Sequence, residues 1–214
     1  MLHDWNQALQ SKSFKKKFFY SFLILFLLLY FLAWFLSYIE ERQGHVFYDP
    51  VLNFFKPQDV SNFIFITTYS FSLFGIVYAI SNPFNTIHLC QMYILLTVFR
   101  IITLFFIPLN PPPEIIPLKD SFLENTFYNE EGNVKDLFFS GHTATLFLFF
   151  FFIKQPILKW VFFTAAISVA IAVLMQHIHY SYDVVVAPLF SYLSYWIIVK
   201  KVKFYDSKKS TNLE

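Results

Sequence analysis

From Phe18 to Ile39 the chain runs without one charged residue, and no other feature limits its fold so strongly. As a helix that stretch rises about 33 Å, the thickness of a bilayer core. Five more apolar stretches follow, at Asn62–Ile80, Ile87–Ile107, Phe138–Ile153, Leu158–Met175 and Val184–Val199. Turn chemistry separates them: Asp49-Pro50, Asn82-Pro83, the Pro111–Pro113 run and Gln155-Pro156. Charged residues make up only 14% of the chain, where a soluble domain carries about 25%, so much of the surface meets lipid. The expectation is an all-α fold: a six-span transmembrane helical bundle forming a single membrane domain over residues 1–214. The first stretch is too long for the apolar part of a secretory leader and lacks a small-residue cleavage site after it, so it is read as a span.

Orientation follows from the basic residues in the flanks. With the N-terminus in the cytoplasm, eleven lysines fall inside: Lys12, Lys15, Lys16, Lys17, Lys154, Lys159, Lys200, Lys201, Lys203, Lys208 and Lys209. Only Arg42, Lys56, Lys119 and Lys135 fall outside. Both termini are therefore expected in the cytoplasm, with 200–214 a basic cytoplasmic tail. The longest connection, between the third and fourth spans, lies outside and carries the proline run, which suits a stiff, partly extended cover. A single cysteine, Cys90, excludes an internal disulfide.

That topology brings four chemically capable residues to one depth. Arg100 lies about two turns from the outer end of the third span, roughly 10 Å by helix rise. His142 opens the fourth span, while His179 and Asp183 sit where the fifth span leaves the membrane and the sixth re-enters. A charge within a membrane is expensive and marks function by default. Read singly, each residue has a plain alternative: a snorkelling arginine, an interfacial histidine, a helix-surface pair. Four such accidents at one depth on one side are not expected.

Ser140-Gly141-His142-Thr143 starts a helix, where unbonded N–H groups and the dipole favour an anion. Gly141 allows close backbone approach, and Ser140 and Thr143 add hydroxyls. In His179-Tyr180-Ser181-Tyr182-Asp183 the carboxylate can hold the imidazole in one tautomer and stabilise its cation. His177, two residues earlier, either joins the site or anchors at the interface. Two histidines, a carboxylate, an arginine and a helix N-terminus suit phosphoryl transfer.

At these residues the chain resembles the type 2 phosphatidic acid phosphatase superfamily, and within it the sphingomyelin synthase-like branch. Asp136-Leu-Phe-Phe-Ser140-Gly-His142-Thr143 is similar to that branch's D-x-x-x-S-G-H-T. His177-Ile-His179-Tyr180-Ser-Tyr-Asp183-Val-Val-Val-Ala187 is similar to H-x-H-Y-[ST]-x-D-V-x-x-A, and Arg100-Ile-Ile-Thr103 to R-x-x-T. The resemblance implies His179 as a nucleophile forming a phosphohistidine, with Asp183 as its orienter. It implies His142 as the acid and base for the leaving and attacking alcohols. Arg100, Ser140, Gly141 and Thr143 would bind phosphate, with Asp136, His177 and Tyr180 in support. No metal or other cofactor is implied. Two departures stand out: Val134-Lys135 replaces the usual Cys-Gly before Asp136, and Lys56-Pro57-Gln58-Asp59 matches the first-loop proline motif only loosely.

The hydrolytic branch of that superfamily carries Lys-x6-Arg-Pro and an Arg six residues before its nucleophile. Here Ile101 follows Arg100, Tyr93 stands seven before it, and Val173 stands six before His179. A phosphate monoester carries close to two negative charges and a diester one, so a single arginine suits the diester. The expected activity is transfer of a phospho-head group from a glycerophospholipid to a lipid alcohol such as ceramide, both drawn from the bilayer, with no nucleic-acid partner. The alternative is a lipid phosphatase or phospholipase C-like hydrolase using the same residues. A metal site built on His142, His177, His179 and Asp183 would leave the Ser-Gly-His-Thr helix start without a use, and a channel would spread its charges through the midplane. The expected location is a bacterial inner membrane with the site facing the periplasm, or a Golgi or plasma membrane with a lumenal or exoplasmic site.

Overall fold

In a computed structural model of the chain, residues 2–54, 56–118 and 134–202 are described. Seven α-helices lie among them: α1 (Leu2–Gln10), α2 (Lys12–Glu41), α3 (Ser61–Ile80), α4 (Pro83–Phe106), α5 (Gly141–Phe152), α6 (Pro156–Met175) and α7 (Ser181–Tyr195), the last continuing as a π-helical segment Trp196–Val202. No strand occurs among the described residues, only an isolated bridge between His45 and Leu109. The all-helical expectation holds. Five helices, α2, α3, α4, α6 and α7 with its extension, are long and apolar enough to cross a bilayer, which marks an integral membrane protein. The fourth apolar stretch becomes α5, 12 residues long or about 18 Å, short of a bilayer core of about 30 Å.

Local chemistry sets the helix starts. Ser11 caps α2 through Phe14 N at 3.3 Å. Asn82 caps α4 through the amides of Phe84 (3.0 Å) and Asn85 (3.2 Å), and Pro83 behind it occupies the first turn, where its missing N–H is harmless. Before the N-cap Val60 of α3, Asp59 accepts from Ser61 N at 3.0 Å and Ser61 Oγ at 2.7 Å, which fixes the turn into the helix. The helix α1 had no counterpart in the apolar pattern; Trp5 ties it to the bundle by donating to Ile80 O at 2.9 Å.

The short helix α5 sits between α6 and α7. Ala165, Ala166, Val169, Ala170 and Val173 of α6 are buried in the cluster that also holds Leu146 and Phe147; small side chains let membrane helices approach closely. Ser191 Oγ donates from α7 to Ala144 O at 2.7 Å, an interhelical bond of the kind lipid surroundings favour. By contrast α2 is lined with exposed aromatics such as Phe26 and Tyr30 and packs chiefly on α4.

One end of the bundle gathers the C-termini of α2, α4 and α6 with the N-termini of α3, α5 and α7, and polar ties lock it. Arg42 donates to Leu104 O (2.6 Å) and Phe105 O (2.7 Å), satisfying carbonyls that α4 leaves open. Lys135 Nζ donates to Glu40 O (2.7 Å) and Arg42 O (2.8 Å). Gln176, fully buried, donates to Ser61 Oγ (2.7 Å) and Ile116 O (3.1 Å) and accepts from Val60 N (3.1 Å). The stretch 119–133, which carries Lys119 and most of the expected cover, and residues 203–214 of the basic tail lie outside the described residues.

Candidate active site

His179 does not lie on a helix. It precedes Tyr180, the N-cap of α7, and Asp183 is the third residue of that helix. The i,i+4 spacing therefore straddles a helix start rather than running along a helix face, and α7 begins three residues before the apolar stretch that signalled it. Asp183 Oδ2 accepts from Tyr180 N at 3.0 Å, the return half of a capping box, and lies 3.5 Å from His179 Nδ1. One carboxylate thus caps the helix and faces the imidazole. Both side chains are buried. With Nδ1 turned to Asp183, Nε2 is the nitrogen available for chemistry.

The approach to His179 is fixed by the end of α6. His177 N donates to Leu174 O (3.0 Å) and Ile178 N to Val173 O (3.2 Å), a Schellman closure. His177 takes the left-handed position with φ 57°, where glycine is usual and a histidine is strained. Its Nδ1 lies 3.4 Å from Pro113 O, and it lines a cavity with Asp49, Lys56 and Glu114 instead of the one lined by His179. Of the two placements open to His177 in the sequence, the structure takes it away from His179. Among the described residues no three His, Cys, Asp or Glu side chains gather as a metal-ligand set.

His142 is the second residue of α5, after the N-cap Ser140 and Gly141. No side chain of the N-cap bonds that helix, and its N-terminus carries the positive end of the helix dipole. The ring meets the edge of Phe65, with centroids 5.7 Å apart. Ser140 and Thr143 are fully buried, and Ser140 Oγ donates to Thr143 Oγ1 at 3.1 Å; the two hydroxyls satisfy each other behind the site. Ser140 N donates to Asp183 O at 3.4 Å, which holds the starts of α5 and α7 together.

Arg100 reaches this helix start from α4. Its Nε donates to Asp136 Oδ1 at 3.2 Å and its Nη2 to Asp136 Oδ2, a bidentate pair, while Nη1 donates to Phe139 O at 3.2 Å. A Cβ on Gly141 would collide with Nη1 and stand 2.7 Å from Cζ. Glycine here is what lets the guanidinium lie against the helix N-terminus. Thr103 Oγ1, one turn on, donates to Phe138 O at 3.1 Å and ties the same strip to α4.

Two adjoining cavities share Arg100, Asp136 and His142. The smaller, about 60 Å³, is closed by His179, Ile178, Val134, Ile115, Pro117 and Leu118. The larger, about 400 Å³, runs between α2, α3, α4 and α5 and is lined by Thr68, Tyr93, Thr97 and Gly141 among others. The two histidines thus meet around one small chamber, with the arginine–aspartate pair as the wall it shares with a roomy one.

Asp49 and Tyr180 carry more of the arrangement than the sequence disclosed. Asp49 is buried and accepts from both the amide and the hydroxyl of Ser181, the latter at 3.0 Å; it caps α7 from the loop after α2. Tyr180 Oη donates to Asn110 O at 2.9 Å and accepts from Phe47 N at 3.2 Å. Burial pushes the Tyr180 phenol up from its ordinary range, so it stays a donor. In the sequence Asp49-Pro50 marks only a turn, and the burial of Asp49 has no separate sequence signal.

Comparison with curated proteins and with solved structures gave no match. Residues 135–200, which hold Asp136, Ser140, Gly141, His142, Thr143, His179 and Asp183, match the family described as PAP2 superfamily C-terminal. That match supports the PAP2 superfamily and, with it, an enzyme acting on phosphate esters of lipids.

Proposed function

We propose that the protein is a membrane phosphotransferase that moves a phospho-head group from a glycerophospholipid to a lipid alcohol such as ceramide, in the manner of the sphingomyelin synthase-like branch. His179 Nε2 attacks phosphorus, and the bond to the diacylglycerol oxygen breaks as His142 gives that oxygen its proton. The head-group phosphate then rests on His179, and Asp183 balances the positive imidazole. His142, now neutral, takes the proton of the acceptor hydroxyl, whose oxygen attacks phosphorus and releases His179. Arg100 and the N-terminus of α5 stabilise the charge on the phosphate oxygens.

The observation that carries the choice of a diester is the state of the cations. Among the described residues Arg100 is the only Lys or Arg lining either chamber, and Asp136 already balances its charge. Lys135 is turned to Glu40 O and Arg42 O. A helix start and a neutralised arginine suit a monoanion better than a dianion. The reading takes six spans, α5 included, with both termini in the cytoplasm and the site at the outer leaflet, in keeping with the lysines flanking the other end of the bundle.

The test is reconstitution with labelled phosphatidic acid, phosphatidylcholine, phosphatidylethanolamine and ceramide, beside a His179→Ala control. Diacylglycerol together with a phosphosphingolipid supports the transferase. Inorganic phosphate from phosphatidic acid, with no transfer, overturns it in favour of a phosphatase.

A further inference from the structure

One side of the small chamber is built without a helix. Ile115, Pro117 and Leu118, which line it together with His142 and His179, belong to an irregular strip in the connection after α4. The strip lines none of the larger chamber. Ile115 and Leu118 rest on the cluster that holds Leu146 and Ala166, while Pro117 is exposed. The strip therefore runs as an apolar rim between the chamber of His179 and the outside.

The bonds that hold this rim run to the end of α6, and Gln176 makes most of them. Ile116 N donates to Gln176 O at 3.2 Å, and Gln176 Nε2 donates back to Ile116 O at 3.1 Å and to Pro117 O at 3.4 Å. The other hydrogen of that amide serves Ser61 Oγ at 2.7 Å, and its oxygen accepts from Val60 N at 3.1 Å. Both donors and the acceptor of the side chain are thus spent on joining the start of α3, the end of α6 and the strip. An amide buried inside a bundle costs free energy unless it is bonded this fully. Gln176 stands three residues before His179, so it fixes the rim relative to the turn that carries the nucleophile.

We propose that Gln176 is a positioning residue that holds the 115–118 strip as the water-excluding rim of the chamber, and thereby sets how much phosphate on His179 passes to a lipid hydroxyl rather than to water. This rests on the phosphotransferase reading and adds to it the residue that governs the acceptor. In the competing reaction a water oxygen bonds to phosphorus, the bond from phosphorus to His179 Nε2 breaks, and His142 takes the proton that water gives up. The product is the free phospho-head group, with His179 restored. Water is smaller than any lipid alcohol, and the chamber, about 60 Å³, is polar and large enough to admit it. Its exclusion must come from the walls. Loosening the strip raises the fraction of time it stands open, and hydrolysis rises in proportion.

The experiment reconstitutes the full chain with phosphatidylcholine or phosphatidylethanolamine labelled in the head group, adds ceramide, and measures the ratio of free phospho-head group to phosphosphingolipid. Wild type is compared with Gln176→Met, which keeps the volume and removes the amide. The ratio is expected to rise about tenfold, the weight of one hydrogen bond that no longer holds the rim. A folded Gln176→Met in which both products fall together at an unchanged ratio overturns the proposal and leaves the transferase intact, since a structural role alone lowers both equally. If Gln176→Met does not fold, Pro117→Gly decides, because it frees the backbone of the same strip at an exposed position. A raised ratio there supports the rim, and an unchanged one overturns it. A wild type that turns over no phospholipid, or that yields only the free phospho-head group, defeats the parent reading and the proposal with it.

Discussion

Replacing Gly141 by alanine separates catalysis from folding, because the two respond with very different magnitudes. An added Cβ would stand 2.7 Å from Arg100 Cζ and closer still to Nη1, against an ordinary carbon–carbon contact of about 3.5–4.0 Å. The guanidinium must therefore withdraw by about 1 Å. It is the far end of a flexible side chain and can move, and alanine favours helix over glycine by up to about 1 kcal/mol, which offsets part of the roughly 1–3 kcal/mol that loosening its bonds to Asp136 and Phe139 O costs. Gly141 has no positive φ that alanine would resist. The withdrawal breaks the register of Arg100 on Asp136 and Phe139 O, and a 1 Å misplacement at a reacting centre lowers rate by about 100-fold. The assay pairs kcat/KM for phospholipid turnover with thermal unfolding in detergent. Gly141→Ala is expected to lose about 100-fold in activity with the protein still folded and Tm lowered only modestly. Wild-type activity in a folded Gly141→Ala protein would refute the placement of Arg100 at the phosphate.

Two further substitutions probe the scaffold around His179. Asp183→Asn keeps an oxygen for Tyr180 N but removes the charge facing Nδ1, so the protein is expected to fold while activity falls by about 10²–10⁴-fold; equal loss of Tm and activity would make Asp183 structural only. Asp49→Ala leaves the Ser181 amide and hydroxyl without their acceptor, which should destabilise by about 1–3 kcal/mol and lower turnover, both read from the same preparations; an unchanged Tm would remove Asp49 from the capping of α7.

The parts of this fold that sequence disclosed are those with a strong local period or a local motif. Long apolar stretches mark α2, α3, α4 and α6, and Ser140-Gly141-His142-Thr143 marks the start of α5. Boundaries were less legible, because polar residues extend helices into the interface without an apolar signal: α7 starts at Ser181, and α2 reaches back to Lys12. The pairing of Arg100 with Asp136 was hidden for a different reason. Both residues were singled out, one as a phosphate ligand and one as support, but only the approach of α4 to the strip before α5 shows that each holds the other. The roles of Asp49 and Gln176 are tertiary: an acid and an amide acquire them only when burial leaves few partners to choose from. The functional reading was carried by types and spacing of residues that meet across the bundle, which is why two histidines 37 positions apart could be assigned to one chamber (142 to 179).

The central claim is that phosphate passes through His179, and trapping the intermediate tests it most directly. A phospholipid labelled in its head-group phosphate is mixed with the reconstituted protein, quenched within one turnover, and the protein is digested and sequenced by mass spectrometry under conditions that preserve phosphoramidates. The expected result is head-group phosphate on His179, absent from His179→Ala and discharged when the acceptor lipid is added. Label on another residue, or full turnover by His179→Ala, would contradict it.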